Sequence, residues 1–199
     1  MDAIAMPINE ALLQERCIMQ TSLLQDIKMG AIVDVETTGM SPQRGDEVVE
    51  IGLILFRFNA VHHNEVEIVD TYQALREPTD PIPFAVTQIH GITNDMVIGK
   101  TLDYIKMESI FDRAEFVVAH NASFDRSFLE HLVPMSIDRP WKCSCFGIPW
   151  KKHGLENRRL GTLRNFFGIA HDEAHRALAD CEVVLEALKR PRYLQELLK

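Results

Sequence analysis

The chain lacks any apolar run near the roughly 20 residues that a membrane-crossing helix needs, so a helical transmembrane protein is excluded as the reading. The first residues, MDAIAMPINEALLQERC, lack a basic start followed by a long apolar stretch and include Asp2 and Glu10. They do not read as a signal peptide, and a cytoplasmic location is the expectation. Cysteine is scarce: Cys17, Cys143, Cys145 and Cys181 fit reduced, intracellular chemistry better than a disulfide framework. Cys143 and Cys145 are separated by one residue, tighter than zinc-ligand pairs, and no second pair follows, so no zinc site is expected. Positive charge is also in deficit. A formal net charge of −8 argues against holding a duplex by bulk electrostatics. There is no internal repeat and no low-complexity tract.

What is present fits one compact domain of 199 residues with ordinary apolar (46%) and charged (25%) fractions. Residues 1–28 read as a preceding helical segment and 29–199 as the main domain. A strand, GAIVDVE, is followed by a turn-like TGMSPQRGDE, then by strands VVEIGLILFRF and EVEIVDTYQAL joined by a short polar connection that suits an antiparallel meander. The proline-rich PTDPIPFAVTQIHGITNDMV reads as a loop with short helices. A helix from about Leu102 to Asp112, a strand EFVVAH and a helix SFDRSFLEHL come next, and apolar periodicity predicts two more helices near 161–167 and 176–190. The fold class expected is α/β, a mixed sheet flanked by helices.

Three carboxylate signatures occur in order along this frame. Asp34 and Glu36 are two apart on a strand, so both project from one face, and the TTG turn after them puts them at the strand's C-terminal end. Asp125 lies in the first turn of a helix, preceded by His120-Asn121 at the exit of a strand. Asp180 flanks the apolar stripe of Ala177, Cys181, Val184, Leu185 and Leu188, where a carboxylate needs a partner. His175, five positions earlier, would lie about 140° from Asp180 around a continuous helix, so the two share a site only if His175 precedes the helix proper. Four acids without a competing cysteine suit hard divalent cations such as Mg²⁺ or Mn²⁺, and four can hold two ions that activate water and steady a leaving oxygen. A histidine adds a group able to take that water's proton near neutral pH. Residues 139–164 add seven basic side chains against one acid, Glu156, a balance that suits either a phosphate backbone or a solvated loop.

Taken together, AIVDVETTG, IHGIT, VVAHNASFD and AHRALADCE resemble the signatures of the DEDDh 3′–5′ exonucleases, a family that includes the proofreading epsilon subunit of DNA polymerase III, RNase T and oligoribonuclease. The match runs from about Gly30 to Arg190. The resemblance implies a ribonuclease H-like fold, with Asp34, Glu36, Asp125 and Asp180 binding two Mg²⁺ (or Mn²⁺) ions and His175 as general base. It also implies substrate contacts from Thr37, Met40, His90, Asn121 and Phe124. The substrate implied is a single-stranded DNA or RNA 3′ end, released as nucleoside 5′-monophosphates. A homodimer like that of RNase T is compatible with the sequence, whereas nothing in it supports association with a polymerase or sliding clamp. Two other classes stay open at this point: a catalytically silent nucleic-acid-binding or polymerase-accessory module, and a small-molecule phosphodiesterase, both on the same fold.

Overall fold

The computed structural model describes residues 26–169 and 176–199. At its centre is a five-stranded mixed sheet in the order β3-β2-β1-β4-β5. Strands β1 (Ile27–Thr37), β2 (Val48–Asn59) and β3 (Asn64–Leu75) form the expected antiparallel meander. Strands β4 (Phe116–Ala119) and β5 (Trp141–Cys143) add on the other side of β1, each parallel to its neighbour. The sheet is thus mixed because the meander is local, while β4 and β5 return through helical crossovers, which parallel pairing requires.

The helices are α1 (Phe84–His90), α2 (Asn94–Val97), α3 (Tyr104–Arg113), α4 (Ala122–Leu132), α5 (Ser144–Gly147), α6 (Leu160–Phe167), α7 (Ala177–Leu188) and α8 (Pro191–Leu198). Strand alternation divides the core in two. Ala31, Val33 and Val35 pack with Leu53 and Leu55 against Met107, Ile110 and Phe111 of α3 and Phe128 and Leu129 of α4. Ile32 packs on the opposite face with Ile54, Phe56 and Val118 against α7 and α8, through Cys181, Val184, Leu185, Tyr193 and Leu194. Both faces of β1 are covered, which is why its sequence is apolar almost without interruption.

Three boundaries differ from the sequence expectations. Strand β1 begins at Ile27 rather than Gly30. A three-residue strand, β5, lies inside the basic region, where no strand was expected. The C-terminal helix ends at Leu188, and Pro191, whose ring fits the first turn of a helix, starts α8. The reading of residues 1–28 as a helical segment falls on 1–25, outside the described residues, and on the first residues of β1. No helix among the described residues is long and apolar enough to cross a membrane.

Candidate active site

The site is created by the parting of two parallel strands. Pairing of β1 with β4 runs only through Gly30–Phe116, Ala31–Val117 and Ile32–Val118. Beyond Ile32, β1 continues alone on that side to Thr37, and an N–H that β4 would have taken needs another acceptor. Asp125, in the first turn of α4, is buried beside this open edge, where the backbone N–H groups of Val35 and of Asp125 itself favour its charged form.

Asp34 and Glu36 share the face of β1 that carries Ile32, the face on which α7 packs. The register sets Asp34 opposite Gly52 on β2. A Cβ built on Gly52 would lie 2.4 Å from the carbonyl carbon of Ala177 and from the nitrogen of Leu178. Only glycine lets the first turn of α7 rest directly on β2 here. That contact brings Asp180, one turn along α7 and 6% exposed, onto the strand acids. Carboxylate oxygens of Asp34, Glu36 and Asp180 lie within 4.8 Å of one another. Asp125 stands outside this tight trio yet acts on it, since its charge is, after burial, the largest influence raising the Asp34 pKa.

The electrostatics follow from crowding like charges in a poorly solvated place. Burial, then Asp125, Asp180, Glu36 and Glu50, hold Asp34 well above the carboxylate range. Glu36 is pushed up to about 8, first by burial and then by Asp180, Glu50 and Asp125, with Arg176 pulling the other way. Burial lifts Asp125 to about 7 against the backbone N–H donors that favour its charged form. Acids crowded this closely are stable as anions only beside positive charge. The donors are all carboxylate oxygens, which fits a hard divalent cation held by Asp34, Glu36 and Asp180.

Two arginines supply part of the positive charge, and neither was expected. Arg164 on α6 places Nη2 at 2.5 Å from Asp180 Oδ1. Arg176, the residue before α7, grips Glu50: its Nη2 donates to Oε1 at 2.7 Å, and its Nε lies 3.0 and 3.1 Å from the two oxygens. Glu50 sits opposite Glu36 in the β1–β2 register and has no exposed surface. It also accepts from the Ala177 N–H at 3.1 Å and from Gln73 Nε2 at 2.9 Å. One buried carboxylate thus binds both the first helical N–H of α7 and the side chain ahead of it. The signal for Glu50 was available in VVEIG, an acid inside an apolar strand; its partner, 126 positions away, was not.

Each of the other expected residues has a local setting of its own. Thr37 is buried, and its hydroxyl donates to the Gly39 carbonyl at 2.6 Å, bracing the turn after β1. Met40 follows at 79% exposure. Asn121 precedes α4 and is exposed, while Phe124 is half-buried against Phe128, ring centroids 5.1 Å apart. His90 is buried at the end of α1, its Nδ1 accepting from the Ile92 N–H at 3.0 Å. His175 lies outside the described residues; α7 begins at Ala177, two positions after it.

A mixed sheet wrapped by helices, with acids converging where β1 and β4 part, is a ribonuclease H-like arrangement. Residues 31–188 match the family model described as Exonuclease, of the RNase T type, and the chain belongs to that exonuclease family. It is 33% identical over 168 residues to a DNA polymerase III subunit epsilon-like protein of Rhodobacter capsulatus, covering 80% of this chain and 23% of the relative. It is 28% identical over 173 residues to the 3′–5′ exonuclease DinG of Bacillus subtilis (strain 168), covering 82% and 18%. These curated relatives are far longer proteins, of which the chain spans less than a quarter. Among solved structures, exonuclease X in complex with 5′ overhanging duplex DNA superposes with a TM-score of 0.60 at 24% identity, covering 83% of this chain and 91% of that one. E. coli exonuclease I in complex with a dA16 oligonucleotide superposes with a TM-score of 0.64 at 18% identity, covering 84% and 42%. At these identities the structures speak for the fold.

Proposed function

We propose that this chain is a metal-dependent 3′–5′ exonuclease that hydrolyses phosphodiester bonds at single-stranded 3′ ends and releases nucleoside 5′-monophosphates. The observation that carries this reading is the convergence of Asp34, Glu36 and Asp180 within 4.8 Å, in a chain of the exonuclease family. The relative from Bacillus subtilis is named as a 3′–5′ exonuclease, which supports the polarity.

In this reading Asp34, Glu36, Asp125 and Asp180 would hold two Mg²⁺ or Mn²⁺ ions, which would supply activation of the attacking water and charge stabilisation of the departing oxygen. His175 takes the water's proton as general base. The remaining residues prepare the site. Glu50 and Arg176 fix where α7 starts, and so where Asp180 stands. Arg164 holds the Asp180 carboxylate in place. Thr37, Met40, His90, Asn121 and Phe124 remain the proposed contacts to the terminal nucleotide, with exposed Met40 the one free to wedge against a base.

The test uses DNA and RNA oligonucleotides of several lengths, labelled at the 5′ end, with Mg²⁺, with Mn²⁺ and with EDTA. The reading predicts a ladder shortening one nucleotide at a time from the 3′ end, abolished by EDTA. Internal cuts would contradict it. Hydrolysis of a dinucleotide alone would favour a small-molecule phosphodiesterase, and no turnover with ions bound at the acids would favour a silent binding module.

A further inference from the structure

The seven basic residues of 139–164 do not act as one patch. Arg139 Nη2 reaches the carbonyl of Asp112 at 3.2 Å, Lys142 reaches the carbonyl of Leu198 at 3.4 Å, and Arg164 holds Asp180. Lys151, Lys152, Arg158 and Arg159 are different: all are exposed, and among the described residues none has an ion-pair partner. The chain carries 29 acidic against 21 basic residues, so four cations gathered between residues 151 and 159 with one acid, Glu156, among them stand against its own charge balance.

An aromatic ring completes the surface. Phe146 is 65% exposed, and the Arg158 guanidinium carbon lies 4.6 Å from its ring centroid. Phe146, Arg158, Lys151 and Lys152 line a single cavity of about 250 Å³ whose walls include Ile148 and Trp150. An exposed ring backed by a guanidinium and rimmed with lysines can stack a base while neutralising the phosphates beside it.

The surface is fastened to the sheet edge that bears the acids. His120, the residue after β4, hydrogen-bonds through Nδ1 to Ser144 Oγ at 2.9 Å and through Nε2 to the Arg158 carbonyl at 2.8 Å. Helix α6 starts two residues after Arg158 and delivers Arg164 to Asp180. From Arg158 to Arg164 the path is about 13 Å, two extended steps of about 3.3 Å to Leu160 and four helical rises of about 1.5 Å.

We infer that Phe146, Lys151, Lys152 and Arg158 form a binding surface for the strand of single-stranded nucleic acid that lies 5′ of the cleaved nucleotide. The inference rests on the proposed exonuclease reading. A strand whose 3′ end lies at the acids would reach this surface within a few nucleotides, so the surface serves long strands and leaves the smallest substrates untouched.

The test separates the two ideas. Binding of a fluorescent thymidine dodecanucleotide is measured by anisotropy in EDTA, where nothing turns over, at several salt concentrations. The triple variant Lys151→Ala/Lys152→Ala/Arg158→Ala should make the dependence of log K on log salt shallower by about 2, three contacts at roughly 0.7 each for a single strand. Phe146→Ala should weaken binding roughly tenfold to a hundredfold, and Phe146→Trp should restore it. In parallel, hydrolysis of the p-nitrophenyl ester of thymidine 5′-monophosphate with Mn²⁺ should be unchanged in all three variants. Oligonucleotide binding and salt slope that match wild type would overturn the inference, and would point to an acidic protein as the occupant. A wild-type protein that hydrolyses neither the ester nor the strand would sink the exonuclease reading instead, while the anisotropy still reports on the surface.

Discussion

Replacing Glu50 with glutamine tests how the start of α7 is held. Glutamine keeps the size of the side chain but presents an amide to three donors: the Arg176 guanidinium, the Ala177 N–H and Gln73. Removing one partner of a buried ion pair costs about 3–5 kcal/mol, because the remaining charge is left without compensation. An opposing gain exists, since Glu50 is among the charges that raise Asp34 and Glu36. With its pKa at about 8, Glu36 still holds its proton at pH 7 when no ion is bound, so little repulsion is relieved. The loss should win. For a chain of this size about 3 kcal/mol corresponds to a fall in Tm of roughly 6–12 °C. Arg176→Gln should cost a similar amount, and the double variant should be more stable than the sum of the singles by at least about 1 kcal/mol. Thermal unfolding followed by circular dichroism measures all three. Oligonucleotide turnover assayed well below each Tm should also fall in the single variants, because Asp180 lies in the anchored turn. Tm values within a degree of wild type, or strictly additive losses, would refute this reasoning.

Three further outcomes follow from the same geometry. His175→Ala should leave Mn²⁺ binding by calorimetry intact while turnover drops roughly 10²–10⁴-fold, the range for a lost general base; near-normal turnover would remove His175 from that role. Gly52→Ala would drive a methyl group into the Ala177 backbone, so it should lower Tm and cut activity, with α7 displaced from β2; an unchanged Tm would mean that this contact is slack. The third concerns pH. Glu36 rises from the ordinary 4.5 to about 8 and Asp125 from 3.8 to about 7. Between those values the folded protein binds more protons than the unfolded chain, so in EDTA stability should fall as pH rises from about 4 to 8, by up to about 1.4 kcal/mol per pH unit for each group. Saturating Mn²⁺ should flatten that slope, and a metal-free protein that gains stability across this window would contradict the electrostatic account.

The fold was legible wherever the chain's own periodicity decided it. Strand β1 announces itself from Gly30 to Glu36 by apolar residues on both faces interrupted by Asp34 and Glu36, and the meander by its short polar connection. Asp180 was legible as a carboxylate beside an apolar helical stripe, and Asp125 as a first-turn acid after a buried strand. Strand β5 was not, because three residues, Trp141 to Cys143, carry too little pattern and become a strand only by pairing with β4. The same limit hid the anchoring of the site. Glu50 with Arg176, and Arg164 with Asp180, are pairings across the sheet and between helices, and nothing local to either partner names the other. His120 read as a polar group near the acids; it ties Ser144 and the Arg158 carbonyl together instead.

Asp34, Glu36, Asp125 and Asp180 are proposed to form one divalent-metal centre facing a nucleic-acid end. Anomalous scattering from crystals of the slowed His175→Ala variant, grown with Mn²⁺ and a thymidine oligonucleotide, tests this. Manganese peaks should lie among these four carboxylates, with the last phosphodiester of the strand beside them. Manganese bound elsewhere, or an oligonucleotide whose 3′ end lies away from these acids, would contradict it.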